Sequence, residues 1–275
     1  MTENIASPAT EADTESKDQR YYDLMAYIIS NAIAGEIMAV ENYCEMTPLV
    51  KDTHDKIETV KQAHEECKHI LMLSSLGRRL NFKVEQRIVE PQWLHIRKHF
   101  SDAVRRKDLA ACLIIQDLMT ESMAIVLYQI LQRDTDPATR DIAKRILDDE
   151  VEHLGIGTER LKKMLAEDRQ SVEDSLVWAH HRVMPELFSM ISTSCHSLCD
   201  ELEVDCGSLG LDSIRTDIES IRVEALDTYI ESLDQAGFDV KVTTPLIASM
   251  ASYGEMPSAD LRLAGASGCN GPSCC

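Results

Sequence analysis

Hydrophobic and polar residues seldom alternate at period two along this chain, so the pattern typical of β-strands is scarce. Helix-forming residues dominate, and the eight prolines leave long uninterrupted runs between them, each long enough for one or two helices. The sequence therefore predicts an all-α protein. We place about eight helices, at 20–46, 53–80, 91–106, 108–133, 137–166, 171–204, 211–236 and 242–252.

The segment 108–133 differs from the other predicted helices because it is apolar on nearly all sides. Such a helix normally runs through the centre of a bundle. We do not expect a membrane span, because the most apolar window also contains polar residues that lipid tolerates poorly. These residues are Gln116, Asp117, Thr120, Glu121 and Ser122.

Both ends of the chain differ in composition from its middle. Residues 1–19 are polar and acidic with almost no large apolar side chain, so we predict that they are disordered. Residues 254–275 are rich in Gly, Ser and Pro and carry three cysteines, which predicts a flexible tail. Between them, residues 20–253 are predicted to form one helical domain.

Composition and charge limit the partners and the location. The formal net charge is −19 with no stripe of basic residues, so we expect no nucleic-acid partner. We favour the interpretation that the excess of acidic residues serves solubility. The alternative is that it serves docking to a basic partner such as a reductase. No secretory signal is recognisable, so we expect a cytoplasmic protein whose nine cysteines are free thiols or ligands rather than disulfides.

Two Glu-x-x-His motifs carry the candidate chemistry. Residues three apart share a helix face, so Glu66 with His69 can reach one metal ion, and Glu150 with His153 can reach another. Either motif taken alone is best interpreted as a surface ion pair. The arrangement of the rest of the chain is what favours a metal site.

A lone glutamate on the preceding helix stands before each motif. Glu36 lies 30 residues before Glu66, and Glu121 lies 29 residues before Glu150. Four-helix bundles with a dinuclear metal site use this set, with one Glu from each of two helices and a Glu-x-x-His from each of the others. The sequence therefore predicts a ferritin-like helical bundle with a central dinuclear metal site.

The chemistry of these ligands indicates which metal they prefer. Glu121 lies on the predicted helix with the least polar surface, where an unpaired carboxylate would be costly. The alternative is a neutral, hydrogen-bonded Glu at a helix contact, and Glu36 is a similar case. Four carboxylates balance two divalent cations, and an oxygen-rich set with one imidazole per metal favours iron or manganese over zinc or copper. We expect two iron ions, with a manganese–iron pair as the alternative.

Three further residues stand near the predicted ligands. Glu65 and Asp149 each lie four residues before one of the two histidines, and they either orient an imidazole or remain surface acids. Tyr43 lies seven residues after Glu36 on roughly the same helix face. It is either a neighbour of the metal ligands or, as we favour, a packed aromatic side chain.

Several stretches of the sequence resemble one known family. They are NAIAGEIMAVENY, AHEECKHILMLSSLG, CLIIQDLMTESMAIVLY, ILDDEVEHLGIGTERLKKML and IESIRVEALDTYIESLDQAGFDVKVTTPLIASM. Over residues 20–253 the chain resembles the fatty aldehyde decarbonylases, also called aldehyde-deformylating oxygenases. The family positions that match the six residues chosen above are its iron ligands.

The resemblance implies a di-iron oxygenase that takes O₂ and electrons from a ferredoxin-type or similar reductase. Its substrate would be a long-chain aldehyde, and its products would be a hydrocarbon one carbon shorter and formate. The family's substrate-side positions match Gln116, Met123, Ala124 and Tyr128. An apolar stripe at helical spacing is also the ordinary pattern of a core, and this alternative stays open.

Cysteines towards the C-terminus form a second candidate site. Its members are Cys195, Cys199, Cys206, Cys269, Cys274 and Cys275. The first two share a helix face, and such thiols could bind a soft metal or exchange disulfides, although we favour incidental thiols. The other three cysteines are predicted to be small buried side chains, at Cys44, Cys67 and Cys112.

Three other functions are compatible with this sequence. The same metals could serve an oxygenase with a different substrate, or iron oxidation and storage as in ferritins. The chain continues well beyond the predicted metal-binding helices, further than a bare four-helix bundle requires, which favours an enzyme with a walled cavity. The cysteines could instead indicate a thiol-based metal-handling protein.

Overall fold

The computed structural model describes residues 19–85, 91–201 and 218–250, and every regular element in these ranges is helical. The elements are α1 (Gln19–Met46), a 3-10 turn (Thr47–Leu49), α2 (Thr53–Arg79), α3 (Pro91–Arg105), α4 (Leu109–Leu113), a π-helical segment (Ile114–Thr120), α5 (Glu121–Asp134), α6 (Pro137–Glu167), α7 (Arg169–Glu201), α8 (Ile218–Ala236) and α9 (Val240–Ser249). The predicted all-α class is confirmed.

Within the described ranges, the predicted helices agree with the observed ones to within a few residues, and the predicted start of helix 211–236 lies outside those ranges. The main difference is that the predicted helix 108–133 consists of α4, the π-helical segment and α5, which follow one another without a break. Gln19, expected to end the disordered segment, begins α1. Residues 1–18, 202–217 and 251–275 lie outside the described residues, so the predicted disorder, tail and domain boundaries stay predictions.

Two pairs of helices form the centre of the fold. Helix α1 packs along α2, and α5 packs along α6, each pair joined by a short connection. Helices α3 and α7 pack together beside α1 and α4, while α8 lies across α5 and α6. The core therefore combines packing between consecutive helices with packing between helices that are distant in sequence.

Capping residues fix where the two motif-bearing helices begin. Asp52 accepts hydrogen bonds from two backbone N–H groups in the first turn of α2. Asp136 does the same for α6, where Pro137 occupies the first helical position. Both residue types suit these positions, since the first N–H groups of a helix lack partners within it.

Two described segments are long and apolar enough to cross a membrane, Tyr21–Leu49 and Leu109–Asp134. Their most apolar windows are 56% and 83% buried within the fold. Core helices of soluble bundles have the same length and composition, so these segments are weak evidence for a membrane span.

Candidate metal centre

Six side chains from four helices meet in the centre of the bundle, and each is at most 6% exposed. They are Glu36 on α1, Glu66 and His69 on α2, Glu121 on α5, and Glu150 and His153 on α6. Their ligand atoms form two groups of four, each within 4.8 Å, and Glu66 and Glu150 belong to both groups. Two cations in these positions would share two carboxylates.

The first group surrounds one nitrogen of His69. Its Nδ1 lies 3.1 Å from Glu66 Oε2 and 3.3 Å from Glu36 Oε2. The distance from Nδ1 to Glu150 Oε1 is also 3.3 Å. Three carboxylate oxygens and one ring nitrogen therefore face a common point.

The second group surrounds His153 and leaves several atoms without partners. The Nδ1 of His153 lies 3.1 Å from Glu66 Oε1 and 3.5 Å from Glu150 Oε2. None of these three buried atoms forms a hydrogen bond of normal geometry. Buried polar atoms without partners are rare, and a bound ion is one of their ordinary explanations. The donor set thus fits a cation.

The outward-facing nitrogen of each imidazole meets a carboxylate from the opposite helix. His69 Nε2, on α2, lies 3.1 Å from Asp149 Oδ2 on α6. His153 Nε2, on α6, lies 3.1 Å from Glu65 Oε2 on α2. A proton on Nε2 leaves the lone pair of Nδ1 free for a metal, so these acids fix both tautomer and ring orientation.

We expect Asp149→Asn and Glu65→Gln each to lower iron affinity by about 10- to 100-fold, because an amide loses the charge that holds the imidazole. Iron content after dialysis against a graded chelator measures the effect. Asp148→Asn, at the exposed neighbouring position, is the matched control. Wild-type iron retention in both acid variants would contradict the orienting role.

Glu121 is held by a buried chain of polar side chains. Tyr43 Oη donates to Glu121 Oε1 at 3.0 Å, and Gln116 Nε2 donates to the same oxygen at 2.9 Å. Gln62 Nε2 donates to Tyr43 Oη at 3.2 Å, and Asn42 Nδ2 donates to Gln116 Oε1 at 2.8 Å. Tyr43 is therefore more than a packed aromatic side chain. Asn42 and Gln62 also belong to this hydrogen-bond network, and the sequence analysis did not indicate them.

The π-helical segment brings Gln116 and Glu121 together. The N–H of Glu121 donates to the carbonyl of Gln116, five residues earlier, which is the hydrogen bond that defines a π-helix. In a regular α-helix, side chains five apart point away from each other. The wider turn of the π-helix therefore places both side chains on the side that faces the cluster.

Glu36 is held by a separate hydrogen bond, because Tyr128 Oη on α5 donates to its carboxylate.

Burial and crowding separate the acidities of the four carboxylates. Burial raises the pKa of Glu36 and Glu121 well above the ordinary value, and the nearby charges of Glu150 and Glu66 add to the rise. Burial acts in the same direction on Glu150 and Glu66, but hydrogen bonds from the two histidines lower their pKa. Without cations, the cluster therefore holds protons that divalent ions would displace.

Metal binding is accordingly expected to release protons. Burial alone lowers the pKa of His153, but hydrogen bonds with Glu150 and Glu66 raise it to about 12, and the pKa of His69 is raised in the same way. Both must be neutral to bind a metal, so protons compete with a bound cation. Anaerobic calorimetry with Fe(II) should show affinity falling from about pH 8 to about pH 6.

The exposed His64 on α2 provides the control for this experiment. The variant His64→Gln should keep the full pH dependence, because its side chain faces solvent. Proton release can be measured by comparing buffers with different ionisation enthalpies. An iron affinity independent of pH would contradict protonated histidines in the metal-free cluster.

An apolar cavity of about 290 Å³ opens onto the carboxylates Glu36, Glu66, Glu121 and Glu150. Its walls come mainly from α1 and α5, with side chains from α3, α7 and α8. The four predicted channel residues all lie in its wall: Gln116, Met123, Ala124 and Tyr128. Their contact with a substrate stays a prediction.

Gly35 and Trp93 form one wall of this cavity. A Cβ at position 35 would lie 3.1 Å from the indole of Trp93, tighter than ordinary contact. The indole Nε1 donates to Asn31 Oδ1 at 3.5 Å. The glycine thus allows α3 to close against α1 beside the cluster.

Three of the nine cysteines have side chains in the described part of the structure. Cys112 is buried as predicted, whereas Cys44 and Cys67 are exposed, which corrects their prediction as buried side chains. Each follows a residue that points inwards, Tyr43 or Glu66, and the next position of a helix is turned by about 100°. The proposed thiol cluster lies outside the described side chains, at Cys195, Cys199, Cys206, Cys269, Cys274 and Cys275.

Comparison with known proteins agrees with this geometry. The model of the long-chain fatty aldehyde decarbonylase family matches residues 18–254. A solved structure described as protein 19 with aldehyde deformylating oxidase activity, from Synechococcus, superposes with a TM-score of 0.71 at 19% sequence identity. The match covers 84% of this chain and 98% of that one. At this identity the superposition establishes the fold, which is the predicted ferritin-like bundle.

Proposed function

Because the chain belongs to the long-chain fatty aldehyde decarbonylase family, we propose that it is a di-iron oxygenase that converts long-chain aldehydes into hydrocarbons one carbon shorter and formate. The reaction uses O₂ and an external electron donor, for which a ferredoxin-type reductase is our proposal. We also infer a cytoplasmic location, where such donors are reduced.

The observation that carries this proposal is the apolar cavity that ends at the carboxylate cluster. Leu24, in the cavity wall, lies twelve residues before Glu36 on α1, which corresponds to roughly 18 Å. Thr135 lies in the same wall, fourteen residues beyond Glu121. An elongated apolar space suits an alkyl chain whose polar end lies at the carboxylates, and it suits a small hydrated substrate poorly.

We assign two iron ions to the cluster formed by Glu36, Glu66, His69, Glu121, Glu150 and His153. Four carboxylates and two neutral imidazoles balance two divalent cations, and this set suits iron or manganese. When bound, the iron ions supply the redox chemistry and the binding of O₂. The unpartnered oxygens of Glu66 and Glu150 support shared ligation.

The residues around the cluster orient the ligands and exclude water. Tyr43 and Gln116 hold one oxygen of Glu121, and Tyr128 holds one oxygen of Glu36. These hydrogen bonds fix carboxylates that face the apolar cavity. The walls keep bulk water from the aldehyde carbon, which protects reactive species from side reactions.

The direct test reconstitutes the protein with Fe(II) and supplies O₂, a reductant and a series of linear aldehydes. Formate and hydrocarbon are measured together, because their equal yield identifies carbon–carbon cleavage at the aldehyde. A protein without iron serves as the control. Absence of both products at every chain length would rule out the proposed reaction, and oxidation of added iron alone would favour a ferritin-type function.

A further inference from the structure

We propose that a small acidic electron-transfer protein docks on the seam between α2 and α6, on the side of the cluster away from the apolar cavity. This inference rests on the proposed function, which needs an external electron donor, and it identifies the surface that receives the donor. The seam is the outer side of the contact between the two helices, along Lys61, Glu65, Lys68, Arg79, Arg145 and Asp149.

At this seam, a single side chain separates each cluster histidine from solvent. His69 is completely buried, and its Nε2 lies 3.1 Å from Asp149 Oδ2, whose side chain is 37% exposed. His153 is also completely buried, and its Nε2 lies 3.1 Å from Glu65 Oε2, whose side chain is 12% exposed. Because electron transfer slows steeply with distance, a donor above Asp149 has a short path to a residue of the cluster, through one hydrogen bond.

The apolar cavity reaches the cluster from another side. Its walls come mainly from α1 and α5. Among the residues that the structure describes, α2 and α6 contribute only Glu66 and Glu150 to these walls. A protein can therefore occupy the seam while an aldehyde lies in the cavity.

The part of α2 that borders the seam is basic, although the chain as a whole is strongly acidic. The formal net charge is −19, yet residues 67–84 contain no aspartate or glutamate. Lys68 follows Glu65 by three residues and Arg79 follows it by fourteen, so both lie on the face of α2 that carries Glu65. Both side chains are exposed.

The part of α6 that borders the seam adds a third cation. Arg145 is exposed and lies one helical turn before Asp149, on the same face of the helix. Within the described ranges, Lys68, Arg79 and Arg145 form no ion pair and no side-chain hydrogen bond. Around them, further exposed cations outnumber the exposed acids, with Arg78, Arg140 and Lys144 against Asp141 and Asp148.

This distribution of charge selects an acidic donor and orients it. Charges that complement a partner raise the rate of association by about 10- to 1000-fold at low salt. The acidic remainder of the surface repels the same partner and so disfavours other orientations. The occupant is therefore an acidic protein that carries a one-electron iron–sulfur cofactor near its surface.

The proposed reaction also favours brief binding at an open surface. Converting RCHO and O₂ into RH, formate and water takes up four electrons and three protons. A donor that gives up one electron and is itself oxidised in each transfer must bind four times in each turnover. Exposed charges suit such exchange, because they speed association more than they prolong residence.

Carbodiimide cross-linking tests the location without iron or turnover. The probe is an acidic [2Fe–2S] ferredoxin, and the reagent joins its carboxylates to lysines that they contact. Mass spectrometry should identify Lys68 as a main site of cross-linking, whereas the exposed Lys98 on α3 should stay unmodified. Cross-links confined to lysines away from the seam, or none at all, would overturn the inference.

Charge reversal tests the electrostatic part of the proposal. The double variant Lys68→Glu, Arg145→Glu should lower the association rate constant of the same ferredoxin by about tenfold or more at low salt. The difference should vanish at high salt, because ions screen exposed charges. Lys98→Glu, on a helix that packs beside α1 and α7, is the matched control and should keep the wild-type rate.

Arg79→Glu provides a second variant further from Asp149, in case the double variant disturbs that residue. Its association rate constant should fall in the same direction, with thermal unfolding and iron content unchanged. Wild-type rates in both the double variant and Arg79→Glu would contradict docking on the seam. Tighter binding of a basic electron-transfer domain than of the acidic ferredoxin would contradict the assigned partner.

Reduction of the iron-loaded protein separates docking from the reaction itself. Lys68→Glu should slow reduction by the ferredoxin but not reduction by a small uncharged mediator. If the wild type binds the ferredoxin on the seam and releases no formate, the proposed function fails and the docking surface stands. If formate is released and the charge variants accept electrons from the ferredoxin at the wild-type rate, the proposed function stands and this inference fails.

Discussion

Glu150→Gln is expected to abolish hydrocarbon and formate production. Glu150 belongs to both groups of ligand atoms, so an amide there removes the negative charge that both positions share and replaces one of the two oxygen ligands by an NH₂ group. Replacing a residue that only supports a ligand costs about 10- to 100-fold in metal affinity, and a shared ligand should cost more than about 100-fold. Iron per chain and formate release after reconstitution measure the two consequences.

Glu152→Gln is the matched control for this variant. Glu152 lies two residues further along α6, and its exposed side chain pairs with Lys61 at 2.9 Å. A surface pair of this kind contributes little, so iron content and activity should stay at wild-type values. Full iron loading and turnover in Glu150→Gln would show that the cluster does not hold the metal in the proposed way.

Ala124→Phe is expected to change which aldehydes are accepted. Ala124 lines the cavity three residues after Glu121, so a phenyl ring there would occupy space needed by the alkyl chain. Each methylene that loses its place is worth about 1–3 kcal/mol, so the longest aldehydes should lose more than about 100-fold in kcat/KM. Short aldehydes should lose much less, and competition assays with mixed chain lengths would measure the shift.

Two controls separate a blocked cavity from a damaged fold. Ala124→Ser keeps the volume and should keep the chain-length preference. Thermal unfolding of Ala124→Phe reports overpacking, which typically costs about 1–3 kcal/mol. Unchanged selectivity in a well-folded, iron-loaded Ala124→Phe would place the substrate elsewhere.

The ligand cluster could be found in the sequence because each part of it is local. Glu66 and His69 share a helix face by spacing alone, and so do Glu150 and His153. The two lone glutamates stood out because each lies on an apolar stretch, where a charge is costly. Helix boundaries followed from strong periodic patterns and from caps such as Asp136.

Other features depend on contacts that no local pattern encodes. The π-helical segment changes which residues share a side, so the contact between Gln116 and Glu121 contradicts the regular helical period. The pairing of Asp149 with His69 and of Glu65 with His153 depends on how α2 and α6 dock. Asp117 looked like one polar residue in an apolar helix until its packing against Gly157 was visible.

The crossed pairing between α2 and α6 makes the two halves of the cluster interdependent. A fragment with a single Glu-x-x-His would lack the carboxylate that holds its own imidazole, since that acid lies on the other helix. Metal binding and the association of α2 with α6 are therefore thermodynamically coupled. Chelation should weaken amide protection along α2 and α6 simultaneously, as a single cooperative unit.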